Sequence, residues 1–243
     1  MEYAPIHLST VNSSNSFAKK LLAGEELAEN TVVITDYQDN GRGQGKNRWE
    51  SEPGKNLLFT WIVFPAFLAV SDQFMLSKTV SLGIADAWSE LGLSIQIKWP
   101  NDIICADKKL GGILIENTIQ GAILKNSIVG IGLNMNQTTF PGFPFPATSA
   151  ANETGQQYDK REVLDLLMKH LITRYSQLEG RLNQELDKDY LNCLYRRNTF
   201  GMFQAENESF EGKIIGVSEL GELEIEVSGE RRYFGFHSIK MIS

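Results

Sequence analysis

Hydrophobic and polar positions divide the chain into stretches of different period. Leu57–Val63 reads LLFTWIV, an unbroken apolar run of strand length, and residues 31–35 are rich in β-branched side chains; both predict buried strands. From Ser71 the period lengthens. Leu76, Val80, Ile84, Trp88 and Leu91 recur at spacings of three and four, which predicts a helix with one buried face. Asp159 and Glu162 form a capping-box-like start to a second long helix, with Val163, Leu167, Leu171, Tyr175 and Leu178 on its buried face and Gly180 at its end. Asn12, Ser13 and Ser14 ahead of Phe17, Ala18, Leu21 and Leu22 predict a short capped helix, and residues 183–196 another. Residues 94–99, 110–116 and 127–134 return to strand, the last two interrupted by glycines.

Between these elements lie two long polar stretches. Residues 37–51 are rich in glycine and basic side chains, and residues 136–157 in Pro, Thr and Asn; loops of such length are often functional. The end of the chain has another texture. Leu223, Ile225 and Val227 alternate with Glu224, Glu226 and Ser228, and a Ser228-Gly229 turn leads into residues 231–236. Short alternating strands of this kind predict a small β-barrel. The expected fold is α+β: a mixed β-sheet flanked by helices over residues 1–197, and a small all-β module over residues 198–243.

Composition narrows the function classes. With 243 residues and 42 % hydrophobic content, the chain can bury one large core and is too apolar for disorder. A net charge of −7 counts against general nucleic-acid binding, which rests on neutralising phosphates with Lys and Arg. Cys105 and Cys193 stand far apart without metal-type spacing, so neither a disulfide framework nor a zinc site is expected. No basic segment followed by an apolar stretch opens the chain, and the longest apolar run is broken by Thr60 and Pro65. The expectation is a cytoplasmic protein with no membrane and no DNA among its partners.

The segment GRGQGKNRW, residues 41–49, carries the most chemistry. As a P-loop it fails, because three residues rather than four separate Gly41 from Gly45 and Asn47 stands where a magnesium-binding hydroxyl belongs. A dinucleotide fingerprint needs a glycine at Lys46 and a helix afterwards, and neither is present. Two readings remain: a basic surface turn, or a loop whose N–H groups and cations close over a phosphate-bearing ligand.

Ser13-Ser14-Asn15, Gln38 with the glycine loop, residues 98–102, residues 109–114 and residues 130–134 form five ordered motifs over residues 11–136 that favour the second, because together they resemble the biotin–protein ligases. Ser13-Ser14-Asn15 is similar to that family's Ser-Thr-Asn, Gln38 precedes the glycine loop as in the family, and Gly41-Arg42-Gly43 opens a loop that Trp49 closes at the family's spacing. Lys98-Trp99-Pro100-Asn101-Asp102 reproduces the KWPND segment. Lys109-Leu110-Gly111-Gly112-Ile113-Leu114 and Gly130-Ile131-Gly132-Leu133-Asn134 resemble its two glycine-containing strands. The loop departs from the family's GRGRxGRxW: Gln44 replaces the second Arg, which the family associates with holding the reactive adenylate, leaving Lys46 or Arg48 as substitutes. Some members carry an N-terminal DNA-binding domain; here the first motif begins at residue 13, and no such domain is expected.

The resemblance implies a class II synthetase-like catalytic fold with an SH3-like terminal module. It also implies a ligase that forms biotinyl-5'-AMP from biotin and ATP, then passes biotin to a lysine of a carboxylase's biotin carboxyl carrier domain. Biotin's ureido ring needs hydrogen-bond partners, for which Ser13, Ser14, Asn15 and Gln38 are candidates, with Arg42, Gly43, Gln44, Lys109, Gly112 and Gly132 completing the biotin site. Glycines within strands allow close approach of a ligand, and Ile113, Ile131 and Trp61 are expected to line an apolar slot. Joining a carboxylate to a phosphate demands cations, expected to be Arg42, Lys98 and Lys109. Trp49, Asn101 and Asn134 are the candidate ATP contacts, and Asp102 a candidate Mg²⁺ ligand, since nucleotide phosphates arrive with that ion. His7, His170 and His237 fall in no motif. A homodimer is among the assemblies the resemblance allows. A lipoate–protein ligase, a non-catalytic biotin-binding module and a repressor are the competing functions.

Overall fold

The computed structural model describes residues 3–142, 145–206 and 208–242. Seven strands form the main sheet: β1 (Ala4–Val11), β2 (Thr31–Gln38), β3 (Leu57–Val63), β4 (Ile95–Lys98), β5 (Asp102–Cys105), β6 (Lys108–Gln120) and β7 (Ile123–Leu133). Their order is β1-β2-β3-β7-β6-β5-β4, and only the β1–β2 pair is parallel. The sheet is mixed, as expected.

Strand alternation sends successive side chains to opposite faces, and here it makes two different faces. Leu57, Phe59, Trp61 and Val63 of β3, with Val129, Ile131 and Leu133 of β7, join the large core. That core is roofed by the helices α2 (Phe74–Glu90), α4 (Lys160–Glu179) and α5 (Asn183–Cys193), after a short α3 (Ala150–Thr154). Asp159 caps α4 through bonds from the Arg161 and Glu162 N–H groups, which is the predicted start. The opposite face packs Val33, Ile62 and Ile128 against Ala18 of α1 (Ser14–Gly24). Beyond α1, that same face carries Thr60, Gly112, Leu114, Gly130 and Gly132, where small and polar residues replace the apolar ones.

A second sheet follows: β8 (Phe200–Ala205), β9 (Glu208–Val217), β10 (Leu223–Val227), β11 (Glu230–Phe234) and β12 (Ile239–Met241), in the order β11-β10-β9-β8-β12. The predicted terminal β-module is there, but β11 and β12 are its two free ends, so it is a curled antiparallel sheet rather than a closed barrel. It is held to the main body by the indole N–H of Trp99, which donates to the Gly221 carbonyl at 2.9 Å, and by Phe236 stacked on Trp99 at 5.4 Å.

Several elements differ from the sequence expectation. β1 was not predicted: it is an edge strand, mostly exposed and containing Pro5, so its apolar signal is only Ile6 and Leu8 facing α1. β5 starts at the last residue of the KWPND segment and was not predicted, and α3 lies inside the stretch expected to be one long loop. Trp61 is fully buried on the helical side, edge-on to Tyr175 at 5.4 Å, with its N–H donated to Asn30 at 3.1 Å. Ile113 and Ile131 point the same way. Ile113 and Ile131 nevertheless line the cavity described below, whereas Trp61 does not reach it, because its position in β3 faces the core. Trp61→Ala is therefore expected to act on stability, lowering it by roughly 3–5 kcal/mol in urea unfolding; a destabilisation below about 1 kcal/mol would contradict this placement.

Candidate active site

One cavity of about 530 Å³ opens on the small-residue face of the main sheet, and the second sheet closes its far wall. Of the predicted site residues, Ser13, Ser14, Asn15, Gln38, Arg42, Gly43, Gln44, Trp49, Lys98, Asn101, Asp102, Lys109, Gly112 and Gly132 all line it. Asn134 does not. It is buried beside the cavity, its amide donating to the Thr148 carbonyl at 2.9 Å, where it braces the residues leading into α3.

The polar end is built at the start of α1. Ser13 holds the N-cap position, yet its hydroxyl makes no capping bond. Gln38 does that work instead: its Oε1 accepts the Ser14 N–H at 2.8 Å and the Ser14 hydroxyl at 3.2 Å. Thr60, fully buried on β3, lies 2.7 Å from Ser14 Oγ and 2.8 Å from Asn15 Oδ1. Asn15 donates onward to the Leu114 carbonyl and to Glu116 at 3.2 and 3.0 Å. An added Cβ at Gly130 would overlap Asn15, so that glycine makes room for a protein side chain. Ser13, Ser14 and Asn15 at the start of α1 thus present hydroxyl and amide groups to the cavity.

Across the cavity stand the cations. Arg42 and Arg48 pair as a short antiparallel bridge, making residues 42–48 a small hairpin with Gly45 at its tip. The tip approaches His237 of the second sheet, and His237 lines the cavity, although no motif pointed to it. Of the two substitutes for the family's second loop Arg, Arg48 lines the cavity and Lys46 does not. Lys98 ends β4, Asp102 opens β5 opposite it, and Asn101 stitches the turn to β6 through its amide to the Ile113 carbonyl at 2.7 Å. Lys109 Nζ lies 2.5 Å from Asp102, and Lys98 Nζ 4.0 Å from it. Lys98 also sits 3.9 Å over the ring of Phe145, which the loop before α3 delivers. Burial pushes the Lys98 ammonium below the ordinary lysine range; Asp102 opposes this, while Lys109, Lys240 and Arg196 reinforce it.

Trp49 lies flat over the glycine floor. An added Cβ at Gly132 would fall 2.6 Å from its indole, and one at Gly112 would meet it at 3.4 Å. Its N–H is buried without a hydrogen-bond partner, a donor with no acceptor in the protein. Asp102, the candidate Mg²⁺ ligand, lines the same cavity. Its oxygens face two lysines, and among the described residues no three His, Cys, Asp or Glu side chains gather as a metal site.

The Biotin/lipoate A/B protein ligase family model matches residues 8–134, the half of the chain that carries every motif above. The chain belongs to this family. A curated member, the biotin–[acetyl-CoA-carboxylase] ligase of Paracoccus denitrificans, is 32 % identical over 182 residues, covering 71 % of this chain and 73 % of that protein. The bifunctional ligase/repressor BirA of Bacillus subtilis is 29 % identical over 236 residues, covering 90 % of this chain and 68 % of its own length. The biotin protein ligase from Aquifex aeolicus, solved in complex with biotin and ATP, has the same fold at a TM-score of 0.82, with 24 % identity and 98 % of each chain covered. Among the described residues, no helix of this family member is long and apolar enough to cross a membrane.

Sequence reasoning missed Thr60, Glu116, Phe145, Arg196, His237 and Lys240. Glu116 had a signal: it continues the period-two series Gly112, Leu114 along β6. The last three come from segments without motifs.

Two outcomes are expected here. Gly132→Ala should displace Trp49 and abolish ligand binding in calorimetry, with an unfolding midpoint near that of the wild type. A cavity that binds ligand equally well after the change would refute the close packing. Because Lys98 has a lowered pKa, it loses its charge as pH rises towards, but before, the ordinary lysine range. Binding of an anionic ligand should weaken over that alkaline window, and Lys98→Arg, which stays charged, should move the loss to higher pH. An identical alkaline limb in both proteins would be the contrary result.

Proposed function

We propose that this family member is a biotin–protein ligase acting in two steps. The biotin carboxylate attacks the α-phosphorus of ATP, forming biotinyl-5'-AMP and expelling pyrophosphate. The amine of an acceptor lysine then attacks the acyl carbon of that mixed anhydride, forming an amide and releasing AMP. The acceptor in this reading is a biotin carboxyl carrier domain, and the setting is the cytoplasm. The observation that carries the proposal is the meeting in one cavity of the α1 polar cluster with Arg42, Lys98 and Lys109. A ureido ring fits the first group, since hydroxyl and amide acceptors and donors replace its lost water contacts. The three cations fit the second step of the logic: two anions must come together, and charge grows on phosphoryl oxygens.

At about 4 Å and an effective dielectric near 20, each opposite-charge pair contributes roughly 4 kcal/mol. Three such groups, fixed before the reaction, are what a phosphoryl-transfer site requires. No nucleophilic side chain is needed, because both nucleophiles belong to the substrates. Magnesium enters as part of the nucleotide substrate. Residues 1–197 hold the reacting groups in this account, and residues 198–243 complete the cavity wall through His237 and Lys240. The hairpin of residues 42–48 would shield the labile anhydride from water.

The test is incubation with magnesium–ATP, labelled biotin and a carrier domain, alongside pyrophosphate exchange with biotin or lipoate. Label on one carrier lysine and biotin-dependent exchange are expected. Lys109→Ala should slow adenylation by about 100-fold or more. Exchange driven by lipoate but not biotin, or biotin binding without pyrophosphate release, would overturn the proposal.

A further inference from the structure

Glu116 touches two groups of the site without lining the cavity itself. It lies on β6, two positions beyond Leu114 and four beyond Gly112, so its side chain leaves the same sheet face. Its Oε2 accepts from Arg42 Nη1 at 3.0 Å and from Asn15 Nδ2 at 3.0 Å, and its Oε1 accepts from Arg42 Nη2 at 3.0 Å. Two Arg42 N–H groups are thereby committed, and the guanidinium plane is fixed. Three further N–H donors remain for a ligand. The same carboxylate orients the Asn15 amide, whose other end meets Thr60.

From this geometry we infer that Glu116 is a positioning residue for the ligase reaction: it couples the ureido end of the site to the phosphate-directed Arg42. The inference rests on the biotin-ligase reading above. An arginine on a half-exposed hairpin has many rotamers, and a bidentate carboxylate selects one of them before the nucleotide arrives. Removing that constraint costs rate without removing the cation itself. The pair is too exposed to matter much for folding.

Gln and Ala substitutions separate the two connections. Glu116→Gln keeps a carbonyl for Asn15 but loses the charge and the two-pronged match to Arg42. Biotin KM should stay within about twofold while kcat for biotin-dependent pyrophosphate exchange falls by roughly tenfold. Glu116→Ala loses both connections, and biotin KM should rise about fivefold or more as well. Both proteins should unfold at the wild-type urea midpoint. If Glu116 acts through Arg42, adding Glu116→Gln to Arg42→Ala should cause no further fall in kcat. Additive losses in the double variant, or wild-type kinetics in Glu116→Gln, would overturn the inference. A wild-type chain inactive in exchange would instead overturn the ligase reading, and this inference with it.

Discussion

Like charges do not gather by themselves, and the site depends on the carboxylates that make them do so. Lys98 and Lys109 share Asp102, and Arg42 is gripped by Glu116. Each carboxylate is delivered by a strand whose register is set elsewhere. Asp102 is held by its pairing across to Gly112, and Glu116 by the long β6–β7 ladder. The positive charges are therefore oriented before a ligand arrives, in a setting where reorganising them during the reaction would cost rate.

The same sheet explains why the cavity is on one side only. Leu57, Phe59, Trp61 and Val63 of β3 and Val129, Ile131 and Leu133 of β7 bury large apolar groups in the core, while the residues between them and their neighbours on β6 include Thr60, Gly112, Leu114, Gly130 and Gly132. A shift of one residue in any of these strands would exchange the faces. Stability and chemistry thus use alternate residues of the same segments, and the core side chain Trp61 sits next in sequence to Thr60 of the site.

How much of this was legible beforehand follows from the reach of each signal. Long helices and the strand Leu57–Val63 were read from period alone, because their faces are buried against a continuous core. β1 was not, since an exposed edge strand has little apolar pattern to show. Within the site, the residues in compact motifs were found, and all but Asn134 line the cavity. The error over Trp61 came from assigning an apolar residue to the ligand without asking which face its position in β3 presents. Lys240 and His237 lay beyond reach, because only the docking of the second sheet brings them to the wall, and Arg196 follows a segment that pairs with Ile97 of β4 but carries no motif.

The central claim is that cations converge on one phosphorus at the end of a site that holds biotin's ring at the start of α1. A crystal structure of the chain with a non-hydrolysable biotinyl-adenylate analogue tests it most directly. The account predicts the phosphate-position atoms within hydrogen-bonding distance of Arg42 and Lys109, and the ureido ring against Ser14, Asn15 and Gln38. An analogue bound the other way round, or outside this cavity, would contradict it.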